Sequence, residues 1–370
     1  MCVGSQERIG QKAWMHVRLG DYATLFAGGT PSRSVSDYYG GTIPWCSISD
    51  ISGAGKFLIR TAESLTRLGI ENSSAKLIPA DAILFAMYAS IGECTLATTP
   101  LATSQAILGI YNLKEFDREY LYYYLCSQKE VFVNQGQTGT QSNLSKEIVS
   151  NIQVPKPDIK EQRRIAISLS SIDADIASVQ SLISKYEAIK KATVNLLLEP
   201  KGDWHNIKLG DVCNITTGRK DVNQGNPNGC YPFFTCSHQV CHSDTYSFND
   251  EAILIAGNGD VGSLHYYKGR FEAYQRTYVL TGFTIDSQYC LQYLSCNLMN
   301  TLAGGKVGST IPYIVLRQLT TFPLCVPQKL TEQRKIAARI SAIDDALKDC
   351  RAQLAKAKSL KQGMMSYFFG

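Results

Sequence analysis

One glycine-rich segment of the chain has residue types and spacing that could bind a nucleotide. Residues 257–262 read Gly-Asn-Gly-Asp-Val-Gly, which matches the G-x-G-x-x-G pattern. A dinucleotide site requires a helix directly after the last glycine, because the phosphates lie at that helix N-terminus. Residues 263–267 read Ser-Leu-His-Tyr-Tyr, which is typical of a β-strand. We therefore predict a hairpin turn here and no nucleotide site.

Cysteine and histidine side chains cluster in the same half of the chain and could hold a metal ion. The cluster contains Cys230, Cys236, His238, Cys241 and His242. Zinc sites usually contain tight cysteine pairs, and these cysteines are spaced more widely than a C-x₂-C pair. The twelve cysteines of the whole chain also lack a framework of disulfide spacings. We predict reduced, partly buried thiols and no metal site.

The sequence contains no recognisable catalytic motif. It lacks a G-x-S-x-G elbow, a Walker loop and an H-E-x-x-H pair. It also lacks the N/D-P-P-Y/F pocket that a methyltransferase of adenine would need, and Asn226-Pro227-Asn228 reads only as a turn. We predict that the chain is not an enzyme.

A sixteen-residue segment that occurs twice indicates the organisation of the chain better than any single motif. Residues 161–176 and 332–347 share eight of sixteen positions, and both begin Glu-Gln-Arg. The offset of 171 residues far exceeds the repeat of a solenoid or propeller, so it indicates duplication of a whole module. Two such modules form a pseudo-dimer, which suits a target made of two half-sites.

Both modules present the same order of signals. Each opens with Leu-Gly-Asp, continues with an apolar strand (residues 82–86 and 252–256) and a glycine turn, and then has a segment containing Gln105 or Gln275. An aromatic helix, a loop rich in Gly, Thr and Ser, and a strand ending in Val-Pro follow. This mixture of elements predicts an α/β (α+β) fold with a mixed sheet in each of two globular domains.

The segment after each Val-Pro has apolar residues at alternating spacings of four and three. This is the a/d seam of a coiled coil, so we predict two long helices. The first seam contains Ile165, Leu169, Ile172, Ile176, Val179 and Ile183, and the second contains Ile336, Ile340, Ile343, Leu347 and Leu354. The first helix leads to the second module, and the second must return along the same seam. We therefore expect an antiparallel pair that separates the two globular domains.

The composition is that of a folded cytoplasmic protein. The chain has 370 residues, 44% hydrophobic and 10% aromatic, without a run of apolar residues long enough to span a membrane or an apolar signal-peptide core at the N-terminus. The net charge is only +5, and residues 331–370 hold eight basic against four acidic residues. The globular modules are thus nearly neutral, so DNA binding would need partners to supply much of the phosphate contact.

The ordered double set of landmarks resembles the specificity subunit of type I restriction-modification systems over essentially the whole chain. The carrying motifs are the Leu-Gly-Asp opening, the Gly-Thr-Gln loop, the Val-Pro ending, and the Glu-Gln-Arg helix start with Ile-Asp beyond it. The resemblance implies two target recognition domains, residues 14–158 and 203–329, and two conserved spacer helices, residues 159–199 and 330–369. It also implies two methyltransferase subunits and motor-nuclease subunits as partners. S-adenosylmethionine, ATP and Mg²⁺ are then expected on those partners and not on this chain.

For a DNA target, bases are read by Arg, Lys, Asn, Gln, Ser and Thr side chains in the grooves. The loops of the first module offer Thr30, Arg33, Thr103, Ser104, Gln105, Gln137, Thr138, Thr140, Gln141 and Asn143. Those of the second offer Arg219, Lys220, Gln275, Arg276, Thr277, Lys306, Ser309 and Thr310. Any one of them could instead be a solvated loop residue, and Gln105 and Gln275 could equally be hydrogen-bonded strand residues. The second module has Gly-Ser-Thr-Ile-Pro at residues 308–312, where the first has the family's Gly-Thr-Gln loop. The resemblance therefore implies a DNA-contacting role less directly for residues 308–312 than for the loop of the first module.

The expected function is recognition of a bipartite, asymmetric double-stranded DNA site and recruitment of modification and restriction subunits to it. The alternative is a stand-alone DNA-binding or bridging protein that works without an enzyme. The nearly neutral modules argue against the alternative, because unaided binding to phosphates would be weak.

Overall fold

A computed structural model describes residues 14–136, 143–303 and 313–370 of the protein. The described chain divides into two compact units. The first unit runs to Ser178 and also includes Leu354–Gly370, and the second is Val179–Gln353. Each long helix is therefore shared, with one part in either unit. Within the described residues, no helix combines the length and apolar character needed to cross a membrane.

The strands of the first unit form mixed sheets. They are β1 (Met15–Arg18), β2 (Thr24–Ala27), β3 (Tyr39–Cys46), β4 (Phe57–Leu58), β5 (Glu63–Leu65), β6 (Ile83–Ala86), β7 (Cys94–Ala97), β8 (Ala102–Thr103), β9 (Ile107–Tyr111) and β10 (Gln153–Lys156). Among the described residues, the main sheet has the order β2-β9-β6-β7-β4, and a smaller one the order β5-β3-β8. The β4–β7 and β3–β8 pairs are parallel, whereas β6 is antiparallel to both its neighbours.

Helices pack on the sheets of the first unit and complete its core. They are α1 (Leu19–Tyr22), α2 (Ile48–Gly53), α3 (Arg67–Glu71), α4 (Arg118–Ser127), α5 (Lys129–Gly136), α6 (Lys146–Ser150) and the beginning of α7 (Ile159–Leu197). Asp117 caps the start of helix α4, and its carboxylate accepts hydrogen bonds from two backbone N–H groups of the first turn. Its tyrosines pack with β6 and with Ile165 and Leu169 of α7 in one apolar cluster.

The second unit repeats this plan with a longer central strand pair, β15 and β16. They are β11 (Trp204–Lys208), β12 (Asn214–Thr217), β13 (Tyr231–Phe234), β14 (Cys241–Ser243), β15 (Phe248–Ala256), β16 (Leu264–Ala273), β17 (Thr277–Thr281) and β18 (Pro323–Pro327). In the described residues the main sheet has the order β12-β17-β15-β16-β13-β14, with β13 and β16 parallel. The helices are α8 (Leu209–Val212), α9 (Ser287–Leu302), α10 (Leu316–Thr320) and α11 (Leu330–Phe369).

In each unit the first strand pairs with the last before the long helix. Strand β1 is antiparallel to β10, with Val17 opposite Val154, and β11 is antiparallel to β18, with Ile207 opposite Leu324. The chain therefore enters and leaves each globule at one edge. Helix α7 follows β10 at once, and α11 follows β18.

The parts of the long helices in each unit run antiparallel and use the predicted seam. In the second unit, Glu187 pairs with Arg351 and Lys190 pairs with Asp344, so the residue number rises on one helix as it falls on the other. In the first unit, Met364 and Phe368 of α11 pack on the cluster that contains Ile165 and Leu169. The mixed α/β fold, the duplication and the antiparallel helices are confirmed.

Candidate nucleic-acid interface

Backbone hydrogen bonds bring three loops together at one end of the main sheet in the first unit. Gly28 N–H donates to Ile107 O (3.1 Å), and Gly29 N–H donates to Thr103 O (2.8 Å). Met87 N–H donates to Ala106 O (2.9 Å) and its own carbonyl accepts from Leu144 N–H (2.9 Å). The segments after β2, β6 and β8, together with the start of the segment that follows residue 142, therefore form one surface.

The second unit builds the same frame from the equivalent positions. Gly218 N–H donates to Thr277 O (3.2 Å), and Gly257 N–H donates to Arg276 O (3.0 Å). The carbonyl of Gly257 accepts from Ile314 N–H (2.8 Å). Thr277, Gly257 and Arg276 lie 170 positions after Ile107, Met87 and Ala106, respectively. Ile314 likewise lies 170 positions after Leu144. The repeat is thus a repeat of hydrogen bonds as well as of sequence.

Two glycines let the loops of this frame approach closely. A Cβ added to Gly28 would lie 2.1 Å from Thr103 O, and one added to Gly218 would lie 1.9 Å from Ala273 O. Both distances are far below van der Waals contact, and both obstacles are backbone atoms that the strand holds in place. A side chain at either position would force the loop away from the strand end.

The predicted base-reading residues of the first unit fall into exposed and buried sets. Thr30, Arg33, Gln105 and Asn143 are exposed, whereas Thr103 and Ser104 are buried. Gln105 occupies the turn between β8 and β9, so it is not a strand residue. Those that lie outside the described residues are Gln137, Thr138, Thr140 and Gln141. The exposed residues stay predictions for base contact.

Arg33 is held by neighbours of its own unit although more than half of its side chain is exposed. Its Nη1 lies 2.7 Å from Glu63 Oε2, and the guanidinium stands over the rings of Tyr39 and Trp45, 4.5 and 5.0 Å from their centroids. The hydrogen bond to Glu63 raises the pKa of Arg33 above its usual value. An arginine fixed in this way is a preorganised cation beside the loop of Thr30.

The second unit divides its predicted residues in the same way. Arg219, Gln275 and Arg276 are exposed, and the last two form the turn between β16 and β17. Thr277 is buried, and Lys220 points into the protein, where Nζ donates to Ser243 Oγ (2.6 Å) and Thr245 Oγ1 (2.8 Å). Those outside the described residues are Lys306, Ser309 and Thr310.

The glycine-rich segment of the second unit has the predicted structure. Residues 257–262 form a turn in which Gly259 and Gly262 have φ values of +64° and +79°. Strand β16 follows from Leu264, and no helix begins there. The predicted hairpin turn is confirmed.

The cysteine and histidine cluster makes hydrogen bonds of its own. His238 Nδ1 lies 2.9 Å from Ser263 Oγ, and Cys236 Sγ donates to Arg276 O at 3.3 Å. Across the described ranges, no three His, Cys, Asp or Glu side chains are grouped as a metal site would require.

The glutamine of each Glu-Gln-Arg motif positions the start of a long helix against its globule, a role that the seam pattern does not predict. Gln162 is fully buried; its Oε1 accepts from Asp117 N–H (2.8 Å), and its Nε2 donates to Pro157 O (2.9 Å). In the second unit Gln333 makes the equivalent pair, with Asp286 N–H (2.8 Å) and Pro327 O (2.8 Å). The sequence signal for this role was a glutamine that occurs at the same place in both helix starts, three residues before the first apolar seam position.

The predicted seam residues are buried or half-buried throughout. The buried ones are Ile165, Leu169, Ile172, Ile336, Ile340 and Leu347. The half-buried ones are Ile176, Val179, Ile183, Ile343 and Leu354. Along α7 burial decreases from Ile165 to Ile183, whereas on α11 the half-buried Ile343 lies between the buried Ile340 and Leu347.

Comparison with known proteins agrees with this architecture. A family model described as "Type I restriction modification DNA specificity domain" matches residues 11–187 and 201–356. The Escherichia coli type I restriction enzyme EcoDI specificity subunit is 32% identical over 169 residues, which are 45% of this chain and 37% of that subunit. The MjaIX specificity subunit of Methanocaldococcus jannaschii is 21% identical over an alignment covering 96% of this chain and 92% of that protein.

A solved structure has the same fold over nearly the whole chain. The S subunit of a type I restriction-modification system from M. genitalium superimposes with a TM-score of 0.72 at 16% identity, covering 99% of this chain and 98% of that one. Because the family model matches both halves and most of the sequence, the chain belongs to the type I restriction-modification DNA specificity family.

Proposed function

We propose that each unit reads one half of a bipartite, asymmetric site in double-stranded DNA. Membership of the specificity family makes the chain a DNA-recognition component and not an enzyme. The observation that carries the proposal is the hydrogen-bonded loop frame, which occurs once in each unit with different exposed side chains on it. One frame holding two sets of side chains fits two different half-sites.

In this proposal residues 14–158 and 203–329 are the target recognition domains. Residues 159–199 and 330–369 are the spacer helices, which set the number of unread base pairs between the half-sites. The antiparallel ion pairs and the seam within each unit support this assignment, because they fix each helix segment against its neighbour.

Specificity subunits of this family work in a complex with DNA, modification (M) subunits and restriction (R) subunits. For this chain we propose two M subunits as partners, which would bind S-adenosylmethionine, and R subunits that would use ATP and Mg²⁺. The small net charge of +5 supports a dependence on partners, since a chain that held DNA alone would need more cations on its globular modules.

Methylation mapping in cells tests the proposed function. Genomic DNA would be sequenced for modified bases from cells that express partner M subunits, with and without the chain. We expect one bipartite motif that is modified only when the chain is present. Tight, sequence-specific binding by the purified chain alone, without a chain-dependent motif in cells, would instead identify a stand-alone DNA-binding protein.

A further inference from the structure

A loop outside the predicted set lies at the same surface of the second unit. Residues 236–240 form most of the connection between β13 and β14, and that connection begins at residue 235. Gln239 and His238 are exposed, and the backbone N–H of Gln239 donates to Ser237 Oγ at 3.1 Å. The side-chain amide of Gln239 is thus presented to solvent on a short, locally bonded loop.

This loop is fixed to both turns of the candidate interface. Cys236 Sγ donates to Arg276 O, which belongs to the 275–276 turn, and Cys236 O accepts from Asp260 N–H at 3.0 Å. His238 N–H donates to Asp260 Oδ2 at 3.0 Å, and its ring is bonded to Ser263. Contact with Gly259 is so close that an added Cβ would lie 2.7 Å from Cys236 O. Gln239 therefore belongs to a loop that hydrogen bonds hold beside Gln275 and Arg276.

The first unit has a different structure at the equivalent place. Strand β3 ends at Cys46, opposite Thr103, and β13 ends at Phe234, opposite Ala273, which is 170 positions after Thr103. In the first unit helix α2 follows, and its Ser52 Oγ lies 2.8 Å from Ser90 Oγ. In the second unit residues 236–240 contact Asp260, 170 positions after Ser90. One position in the frame thus carries two unlike structures, each touching the same turn.

We infer that residues 236–240 are a specificity loop of the second unit, in which Gln239 contacts a base and His238 positions the loop. The inference rests on the proposed function. A glutamine amide offers one donor and one acceptor side by side, which match N6 and N7 of adenine in the major groove. The ligand of Gln239 is therefore an adenine of the half-site that the second unit reads.

Substitution of Gln239 in the complete system tests this loop. Gln239→Ala should reduce discrimination at one base position of one half-site by about tenfold or more. Gln239→Arg should move the preference there from adenine to guanine, which arginine pairs with through O6 and N7. Methylation mapping of cells carrying the M subunits and each variant reads both half-sites at once, so the first half-site reports that the complex has folded and assembled.

Asn249→Ala provides the matched control, because Asn249 is also an exposed amide. Asn249 lies near the start of β15, seven residues or about 23 Å along the strand from the end that precedes the 257–262 turn. Cells carrying the Asn249→Ala variant should therefore keep the original methylation motif. If Gln239→Ala and Gln239→Arg leave both half-sites unchanged while Arg276→Ala alters one, the loop inference is overturned and the proposed function stands. Absence of any chain-dependent motif with the unaltered chain would overturn the proposed function itself.

Discussion

Lys361 and Asp173 form an ion pair in the first unit, with Nζ and Oδ1 2.6 Å apart. In the second unit Lys190 and Asp344 form the same pair at 2.5 Å, and each residue lies 171 positions from its counterpart. The pairs differ in their surroundings. Asp173 is 19% exposed and also accepts a hydrogen bond from Tyr123 Oη (2.6 Å), whereas Asp344 is 35% exposed. The duplication has kept the pair while the site around it has changed.

We expect these two pairs to contribute unequally to stability. Asp173→Ala leaves the Lys361 ammonium without its carboxylate and the Tyr123 hydroxyl with only the longer hydrogen bond to Ser170 Oγ (3.3 Å) in a mostly buried place, so it should cost about 2–3 kcal/mol. Asp344→Ala removes a more exposed pair and should cost about 1 kcal/mol or less. Hydrogen exchange of α7, followed separately for residues 159–178 and 179–197, measures each effect in its own unit. Equal costs for the two substitutions would contradict this ranking.

The buried glutamine of each Glu-Gln-Arg motif should be essential for joining the helix to its globule. Gln162→Leu leaves Asp117 N–H and Pro157 O unsatisfied in the interior, and we expect the free energy of unfolding to fall by about 2–4 kcal/mol. Gln333→Leu should act similarly in the second unit. The same change at Gln180, an exposed position on α7, should alter stability by less than about 0.5 kcal/mol. Urea denaturation followed by circular dichroism compares the three variants.

Much of the architecture could be predicted because it depends on local patterns. The 4-3 spacing that begins at Ile165 and Ile336 sets a helix face directly, and the apolar run at 252–256 could only be a buried strand or helix. The strand observed, β15, begins earlier, at Phe248, because its polar first residues pair with residues 268–271 of β16. Because the same order of patterns occurs in both modules, each local prediction was supported twice.

The base-reading set was harder to predict because burial depends on distant partners. Lys220 has the right residue type, yet Ser243 and Thr245 bring its ammonium group inward. Lys56 likewise donates to Glu119 and Ser170, residues that no local pattern connects with it. Burial alone would raise the pKa of Glu119, but the hydrogen bonds from Lys56 and Ser170 hold that pKa below its usual value. Such networks follow from the tertiary fold and not from spacing in the sequence.

The close approach at Gly218 predicts a selective loss of recognition. In Gly218→Ala the new methyl group would overlap Ala273 O, so the loop of Arg219 must move away from the 275–276 turn. We expect reading of one half-site to weaken by about tenfold or more, while the other half-site is kept. Gly363→Ala is the control, since an added Cβ meets open space on α11 and should stabilise the helix by up to about 1 kcal/mol. Binding of the complete complex to oligonucleotides altered in either half-site measures both variants.

Length of helix α7 should control the distance between the two half-sites if the long helices are spacers. An insertion of four residues within 190–198 adds about 6 Å of helix at ~1.5 Å per residue. Four residues are also close to one turn of about 3.6 residues, so the side chains beyond the insertion keep nearly their original faces. At about 3.4 Å per base pair, we expect the unread spacer to lengthen by about two base pairs with both half-sites unchanged.

Insertion of the same four residues after Gly202 separates helix length from chain length. Gly202 lies beyond the end of α7 and before β11, in a segment where an added Cβ meets nothing. That variant lengthens the connection but not the helix, so it should keep the original spacer. Methylation mapping of cells expressing each variant with its M subunits gives the spacer directly. A motif with the same spacer in both variants would show that α7 does not set the distance, because only the helical insertion moves the residues that follow along the helix axis.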